Sequence, residues 1–461
     1  MLASLPNKVL IGITDFLGDQ KDRVHLAASC RHFRKILLPY AFNSISLNST
    51  CEWTLSCLVH TLLQQPRCGA AVRSLSLTVG RCRHSRKVRF DRELLTRALQ
   101  RIAHTEEELV KWRDNLEGKS TEASDLYSEG AWLDYLEEKS TDEWGLYTKD
   151  AWRAVLLILV PNLETLNIEW HPSEKYTQKV FSRALNHEKP FDTRPAFTRL
   201  RSISIQEWEY DDTLIKACDI VNSFRFPSLR QFSCYGVADF ADDDEVSRIT
   251  KLGAFSKVTD IAFYNSNSTN GFSSFVIACE NLQSFVYEHI FLAEWGESCN
   301  PPAIFKTLLH HKDTLVKLHV YNAEVEDEPS ENAFFGSLSN FAVLKDLRLR
   351  ATNLLDWDRE GKVSKNHLFS VLPASLVSLT IENFDECPNV KNMVEQLGDI
   401  LRNGMGNFSL LESLEIGGFF LDPENDSPND VIRPELKPVM ALLSDACGSS
   451  GVEFVMRDIS Y

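Results

Sequence analysis

Apolar side chains recur at helical spacing near the start of the chain. In residues 5–17 they follow the three- and four-residue steps that place side chains on one face of an α-helix. Two further apolar groups, in residues 22–30 and 33–39, predict a second and a third helix. Asp22 is placed to cap the second helix, and Pro39 is placed to stop the third. The first fifty residues therefore predict three short helices.

Three short helices bury little surface alone, so we expect a partner to cover part of their apolar side chains. Their order and spacing resemble the F-box, and the residues that carry the resemblance are Leu5, Pro6, Val9, Leu10, Ile13, Phe16, Leu17, Leu26, Cys30 and Phe33. In that family the motif docks onto the Skp-type linker subunit of a cullin-RING (SCF) ubiquitin ligase. The resemblance implies that these residues bind such a linker. The alternative is an ordinary helical cap on a larger domain.

A second pattern recurs ten times further along the chain: an apolar residue, two others, an apolar residue, one other and an apolar residue. It occupies residues 72–77, 163–168, 200–205, 229–234, 258–263, 282–287, 315–320, 344–349, 376–381 and 411–416. The alternation at period two predicts a short strand in each. Helical stretches such as 302–311 and 390–401 precede most of them. A strand and a helix repeated every 24 to 37 residues (282−258 and 200−163) predict a solenoid.

The repeated segments resemble leucine-rich repeats over most of residues 150–461, although the asparagine that usually follows the last leucine is absent. The whole chain thus resembles fungal-type F-box proteins with C-terminal leucine-rich repeats. The fold class implied is α/β: an N-terminal three-helix F-box, then an irregular solenoid with parallel strands on its concave face. Residues 451–457 predict a final strand that closes the C-terminal end.

These patterns divide the chain into an F-box (1–47), a first strand that starts the solenoid (48–80), a helical insert (81–150) and the main solenoid (151–461). The insert opens with a basic run at 81–89, which is a solvated loop or a surface for an acidic or phosphorylated partner. It continues with a tandem duplication offset by 20 residues (139−119). We expect its tryptophans, Trp132 and Trp152, to pack the insert onto the solenoid; a recognition element is the alternative.

The net charge and the cysteine content limit which partners and which cell compartments are expected for this protein. The 65 acidic and 49 basic residues give a net charge of −16, which argues against a nucleic-acid partner. The 11 cysteines show neither a CxxC pair nor a metal-ligand spacing, so they predict a reducing compartment and no metal site. The longest apolar run, 154–161, is too short to span a membrane. We expect a protein of the cytoplasm, the nucleus or both, with no membrane partner.

The sequence offers few candidate catalytic motifs. Gly404 and Gly406 precede a predicted strand rather than follow one, so they are no dinucleotide loop. Acidic runs at 242–245 and 324–328 follow predicted strands and are typical of solvated loops. The sequence therefore predicts binding rather than catalysis, with no catalytic residue and no cofactor.

Strand residues between the apolar anchors face the exposed inner side of such a solenoid. Those favoured as a substrate face are Tyr235, Tyr264, His319, Tyr321, Arg348 and Arg350, because Tyr and Arg are frequent interface anchors. Arg348 and Arg350 lie two residues apart on one strand and so point to one face, which suits a peptide bearing carboxylates or a phosphate. The alternatives are that the arginines pair with Asp346 or Glu382, or that the inner face has no function.

Together these features predict a substrate-recruiting adaptor of an SCF-type ubiquitin ligase, with a Skp-type linker, a cullin-RING ligase and an unknown protein substrate as partners. It is expected to be a non-catalytic subunit of the ubiquitin conjugation pathway. One alternative is an F-box and leucine-rich-repeat scaffold that acts outside a ligase. Another is an enzyme with an unrecognised site, which turnover of a substrate without partners would reveal.

Overall fold

The computed structural model describes residues 5–17, 20–47, 52–78, 91–117, 144–170, 175–207, 214–239, 255–290, 299–322, 334–358, 360–403, 406–420, 433 and 436–458. Several predicted features lie outside these residues. They are the basic run 81–89, the first copy of the duplication with Trp132, and the acidic runs 242–245 and 324–328. The chain divides into two compact units, the first formed by 1–215 with 219–230 and the second by 216–218 with 231–461.

In its described residues, the first unit combines helices with four parallel strands in the order β1-β2-β3-β4. The helices are α1 (Asn7–Asp15), α2 (Gln20–Ala28), α3 (Arg31–Ala41), α4 (Glu52–Gln64), α5 (Pro66–Ala71), α6 (Arg92–Ile102), α7 (Glu106–Leu116), α8 (Trp144–Leu159) and α9 (Lys175–Asn186), with a 3-10 helix at Asn222–Arg225. The strands are β1 (Ser44–Leu47), β2 (Ser74–Leu77), β3 (Thr165–Trp170) and β4 (Ser202–Glu207). The short strand β5 (Ile215–Lys216) and helix α10 (Ala217–Val221) follow at the division.

The described part of the second unit carries eight parallel strands in the order β6-β8-β9-β10-β11-β12-β13-β14. The strands are β6 (Gln231–Tyr235), the short β7 (Val237–Ala238), β8 (Asp260–Ser266), β9 (Ser284–His289), β10 (Lys317–Asn322), β11 (Asp346–Arg350), β12 (Ser378–Glu382), β13 (Ser413–Gly418) and β14 (Glu453–Asp458). The helices are α11 (Ser273–Ala278), α12 (Pro301–Leu308), α13 (Ala351–Leu354), α14 (Leu368–Val371), α15 (Val390–Asn403) and α16 (Lys437–Ser450), with 3-10 turns at Leu309–His311 and Phe384–Glu386.

All ten repeated segments form strands, and each strand begins two residues after the start of its repeat. The predicted alternation is confirmed in β11, where Leu347 and Leu349 are buried while the residues between them remain partly exposed. Neighbouring strands place equivalent anchors side by side, as Leu318 beside Leu347. The parallel register follows because each strand buries its apolar face against the elements of its own and neighbouring repeats.

The sequence did not predict strand β1, which lies within the range expected to be F-box. It pairs with β2 in parallel, Ser44 beside Ser74, so strand pairing in the first unit begins directly after α3. The final strand predicted at 451–457 is confirmed as β14, whose partner is β13.

Three short helices are present at the N-terminus, as predicted, but three details differ. Asp22 lies in the first turn of α2, because that helix already begins at Gln20. Cys30 belongs to no helix: its sulfur accepts a hydrogen bond from the backbone N–H of Phe33 and so caps α3. Pro39 does not stop α3, which continues to Ala41; in the last turn, proline removes one helical hydrogen bond only.

The described part of the insert packs on the solenoid helices. Arg183 of α9 donates to the carbonyl of Ile102 and pairs with Glu108 of α7 at 2.5 Å. Trp152, in the second copy of the duplication, is buried in α8, the helix that leads into β3. Trp152 is thus a core side chain, and the expectation that the two tryptophans pack the insert onto the solenoid stays a prediction.

Candidate functional site

An apolar surface on helix α1 is the first candidate binding site. Pro6, Val9, Ile13 and Phe16 are spaced so that they lie along one side of the helix. Val9 is 47% exposed and Phe16 is 91% exposed, whereas Ile13 is half-buried. We call Pro6, Val9 and Phe16 the N-terminal apolar surface. Because Phe16 is almost entirely in water, its side chain buries almost no apolar area within this chain. Such exposure in an apolar surface is typical of residues that contact a partner.

A small core holds this surface in place. Leu10, Ala27, Phe33 and Leu37 are buried together where the three helices meet. The remaining predicted F-box residues are half-buried, and those packed against this core are Leu5, Ile13, Leu26 and Cys30, while Leu17 is also half-buried. The ten predicted residues therefore form three groups: two are buried, five are half-buried and three are exposed. Leu10 and Phe33 support the fold from within, and the N-terminal apolar surface faces outward.

The inner face of the second unit is the other candidate site. Its centre is Arg348 on β11, whose Nε donates to Oε1 of Glu382 at 2.5 Å. The guanidinium carbon of Arg348 lies 4.3 Å from the ring centroid of Tyr321, an arrangement that favours a cation–π interaction. Burial and the carboxylate of Glu288, which accepts a hydrogen bond from the Tyr321 hydroxyl, raise the pKa of Tyr321. Tyr321 thus stays neutral and presents a ring to the arginine.

Glu382 is the acceptor on which two arginines meet. Its carboxylate is 3% exposed, and Arg457 of β14 also pairs with its Oε1. Arg457 reaches across β13 because Gly417 stands between them: a Cβ there would lie 2.5 Å from Oε2 of Glu382. The Nε of Arg457 donates to Glu415 at 2.8 Å. A buried carboxylate needs such partners, so this cluster is held by its own charges.

A second set of charges lies at the start of the neighbouring strands. His319 contacts Asp346 at 2.9 Å, and the ammonium of Lys317 lies 3.6 Å from the same carboxylate. Burial alone would raise the pKa of Asp346, but the hydrogen bond and charge of His319, with the charge of Lys317, lower it overall. Asp346 is therefore an ionised acceptor already engaged by two side chains.

Arg350 lies beside Glu382 on β12 in the strand register, and it directly follows Leu349, the register partner of Val320 on β10. Burial, followed by the charge of Arg350, lowers the pKa of His289 to about 4. His289 is fully buried, with Nδ1 2.7 Å from the hydroxyl of Tyr287. A neutral histidine thus lies beneath the arginine, inside the fold.

Tyr235 and Tyr264 form a separate aromatic pair. They are register partners on β6 and β8, and their rings stack at 6.0 Å with an interplanar angle of 28°. Tyr235 is 41% exposed. The predicted substrate-face residues thus form a tyrosine stack, in which Tyr235 is exposed and Tyr264 is half-buried, and a charge-paired group around Arg348.

Sequence reasoning named Glu382 only as a pairing alternative and did not find Glu288, Glu415, Arg457 or Gly417. The alternative is correct for Arg348, which pairs with Glu382. Period-two alternation places Glu415 on the inner face and would have found it. The reach of Arg457 across a strand depends on the missing side chain at Gly417, which alternation does not reveal.

Within the described residues, no three His, Cys, Asp or Glu side chains are grouped to hold a metal ion. None of the described helices combines the length and apolar character needed to cross a membrane.

The family model described as a leucine-rich repeat domain matches residues 49–408. That range covers well over half of the chain and contains the parallel strands from β2 to β12, so the chain belongs to the leucine-rich repeat family. Domains of this family are in general non-catalytic protein-interaction modules, which indicates protein binding. No curated protein matches the chain.

Proposed function

We propose that this chain is the substrate-recruiting adaptor of an SCF-type ubiquitin ligase. In this proposal the N-terminal helices dock onto a Skp-type linker and so onto a cullin-RING ligase. The leucine-rich repeats bind a protein substrate, and the ubiquitin chemistry belongs to the partners. The protein would act in the cytoplasm, the nucleus or both.

The observation that carries the proposal is the exposure of the N-terminal apolar surface in a module with the residue order of an F-box. Val9 and Phe16 point away from the small core formed by Leu10 and Phe33. Covering a phenylalanine and a valine on a partner releases a free energy of roughly 1.5–3 kcal/mol for each side chain. The helix is thus suited to protein docking.

The substrate side of the proposal rests on the inner face of the second unit. Tyr235, Tyr264, His319, Tyr321, Arg348 and Arg350 are proposed to contact the substrate. Because Arg348 already binds Glu382, it would have to leave that carboxylate to hold an anionic group of a peptide. The stack of Tyr235 and Tyr264 is therefore the stronger anchor, since aromatic rings supply contact area at little entropic cost.

The test is affinity capture from cells with tagged full-length chain, read by mass spectrometry. Val9→Ala with Phe16→Ala should lose the Skp-type linker and the cullin while retaining substrates. Because Phe16 is almost fully in water and Val9 is about half in water, the free energy of unfolding should fall by no more than about 1 kcal/mol. Tyr235→Ala with Tyr264→Ala should do the reverse, losing substrates and retaining the linker.

The Arg348→Ala, Arg350→Ala double variant provides a second substrate-face test, with thermal unfolding measured because Glu382 loses a partner. Capture of the linker at wild-type strength by the Val9 and Phe16 variant would refute the docking assignment. A linker captured without any cullin would favour a scaffold that acts outside a ligase. Turnover of a substrate by the purified chain alone would favour an enzyme.

A further inference from the structure

Three tyrosines and one glutamate form a row across the inner face of the second unit. Tyr235 of β6 is the register partner of Tyr264 of β8, and Glu288 of β9 is the register partner of Tyr321 of β10. Strands β8 and β9 pair in parallel up to the residues that directly precede Tyr264 and Glu288. The four side chains therefore lie on four consecutive strands. We call the space above β9, between the rings of Tyr264 and Tyr321, the tyrosine slot.

The two rings that flank the slot are each supported from the side away from β9. The ring of Tyr264 stacks on that of Tyr235, with centroids 6.0 Å apart and an interplanar angle of 28°. The guanidinium carbon of Arg348 lies 4.3 Å from the centroid of the Tyr321 ring. Because β6 and β11 lie on opposite sides of β9, Tyr235 and Arg348 cover the outer ring faces. The inner face of each ring is thus turned toward the slot.

The width of the slot suits one flat group. Two strand spacings of about 4.8 Å separate β8 from β10, which places the backbones that carry the two rings about 10 Å apart. In the described part of the chain, the rings of Tyr264 and Tyr321 are not in contact with each other. A planar group between two rings needs roughly 7 Å, twice the optimal separation of carbon atoms in contact. Small side-chain adjustments bring both rings onto such a group.

The slot has an apolar floor and a carboxylate at one end. Val286, the inner residue of β9 two positions before Glu288, is 9% exposed and forms the floor. The carboxylate of Glu288 accepts a hydrogen bond from the Tyr321 hydroxyl, and its remaining lone pairs can accept further hydrogen bonds. Within the described ranges, Glu288 has no ion pair with a Lys, Arg or His side chain. A carboxylate acceptor is thus placed beside two ring faces.

The arginine beside the slot already has a carboxylate partner. Nε of Arg348 donates to Oε1 of Glu382 at 2.5 Å. Arg457 and Glu415 complete this group, so that two positive charges face two negative ones, whereas Glu288 has no such match. The contact of Arg348 with the tyrosine ring beside it also shows that a ring at this place in the fold attracts a guanidinium. The slot offers a second guanidinium two ring faces and one carboxylate.

We propose that the tyrosine slot binds the side chain of an arginine in an extended segment of the substrate protein. A guanidinium is flat and stacks on aromatic faces, and its N–H groups donate to a carboxylate such as that of Glu288. A lysine ammonium fits less well, because it is compact, strongly hydrated and has no flat face. The inference deepens the proposed function and rests on it for taking the inner face as the substrate surface.

The experiment uses the purified full-length chain and saturation-transfer NMR, which detects weak binding and shows which protons of a peptide lie against the protein. Three peptides share one Gly-Ser backbone and carry arginine, lysine or citrulline, the uncharged counterpart of arginine, at alternate positions. Alternate positions of an extended chain point to one side. The arginine peptide should receive saturation at its δ-methylene protons, and the lysine peptide should bind more weakly. The citrulline peptide should bind at least about tenfold more weakly, because the charge-assisted contact is lost.

The variants assign the binding to the slot. Glu288→Gln should weaken binding of the arginine peptide at least about tenfold, because the amide keeps the shape of the side chain and loses its charge. Tyr264→Leu should also weaken it, whereas Tyr264→Phe should keep most of it, because the ring remains. The matched control is Asp260→Asn, which removes a carboxylate from the same face of β8, roughly 13 Å from Tyr264, and should bind like wild type. Thermal unfolding of each variant checks that it is folded.

Equal binding of the citrulline peptide, tighter binding of the lysine peptide, or wild-type binding by Glu288→Gln would overturn the proposal. Affinity capture from cells separates this failure from failure of the proposed function. If Tyr235→Ala with Tyr264→Ala loses substrates but Glu288→Gln retains them, the inner face binds substrates without the arginine contact. If both variants retain every substrate, the recognition surface lies elsewhere and both proposals fail on the substrate side.

Discussion

Replacing Glu108 by an uncharged residue tests how strongly its carboxylate holds the insert against the rest of the first unit. Glu108 lies in the first turn of α7, three residues after the N-cap Thr105: its backbone N–H donates to the hydroxyl of Thr105, and its carboxylate accepts from the N–H of His104 at 2.8 Å. Lys179 and Arg183 of α9 both contact its Oε1 at 2.5 Å. The carboxylate joins the insert to a helix of the solenoid.

The pKa of Glu108 sets the size of the effect. Burial alone would raise the pKa, but the bond from His104 and the charges of Lys179 and Arg183 lower it from 4.5 to about 2. At 1.36 kcal/mol for each pKa unit this corresponds to about 3 kcal/mol of stability. With its side chain 12% exposed, we expect Glu108→Gln to lose about 2–3 kcal/mol after partial screening. Because the folded pKa is depressed, this stability is complete above about pH 4.5 and is lost as the pH falls toward 2.

Urea denaturation at several pH values between 2.5 and 7 measures this directly. Wild type and Glu108→Gln should differ most near neutral pH and converge in acid, because the amide keeps the shape of the side chain and loses its charge. The matched control is Glu93→Gln, whose carboxylate is 83% exposed and lies 3.9 Å from Arg97; it should cost less than about 0.5 kcal/mol at any pH. A Glu108→Gln difference that does not vary with pH, or a control of equal size, would refute the reasoning.

Two further predictions concern the second unit. Leu347→Ala should lower the free energy of unfolding by roughly 2–5 kcal/mol, because Leu347 is fully buried, while Lys317→Ala on the neighbouring strand should cost under about 1 kcal/mol; equal costs in thermal denaturation would contradict the strand register. Gly417→Ala should destabilise by about 1–3 kcal/mol, because its Cβ would lie 2.5 Å from the Glu382 carboxylate. In a double-mutant cycle that cost should shrink on Glu382→Ala, and an unchanged cost would mean that the clash lies elsewhere.

The strands were predictable because their signal is local. Each repeat places apolar residues at its first, fourth and sixth positions, and burial follows that pattern, as at Leu318 and Leu347. Strand β1 was not predicted, because Ser44–Leu47 holds just two apolar residues and directly follows α3. Helix ends were harder to predict, since Asp22 and Pro39 are both compatible with positions inside a helix turn. The residue types near a helix end do not determine which backbone hydrogen bonds form there, and those bonds decide where the helix ends.

The sequence predicted on which face of the strands the candidate site residues lie, but not which of their charges are already paired. Alternation places Tyr235, Tyr264 and Arg348 on the inner face, and the structure agrees. Alternation does not tell whether a charge is already neutralised by a partner. Glu382 is 3% exposed, and a carboxylate so buried requires cationic partners, so Arg348 and Arg457 stabilise the fold before they can bind anything else. In the proposed function, substrate binding by the second unit therefore depends first on Tyr235 and Tyr264, since their rings are not needed to neutralise a buried charge.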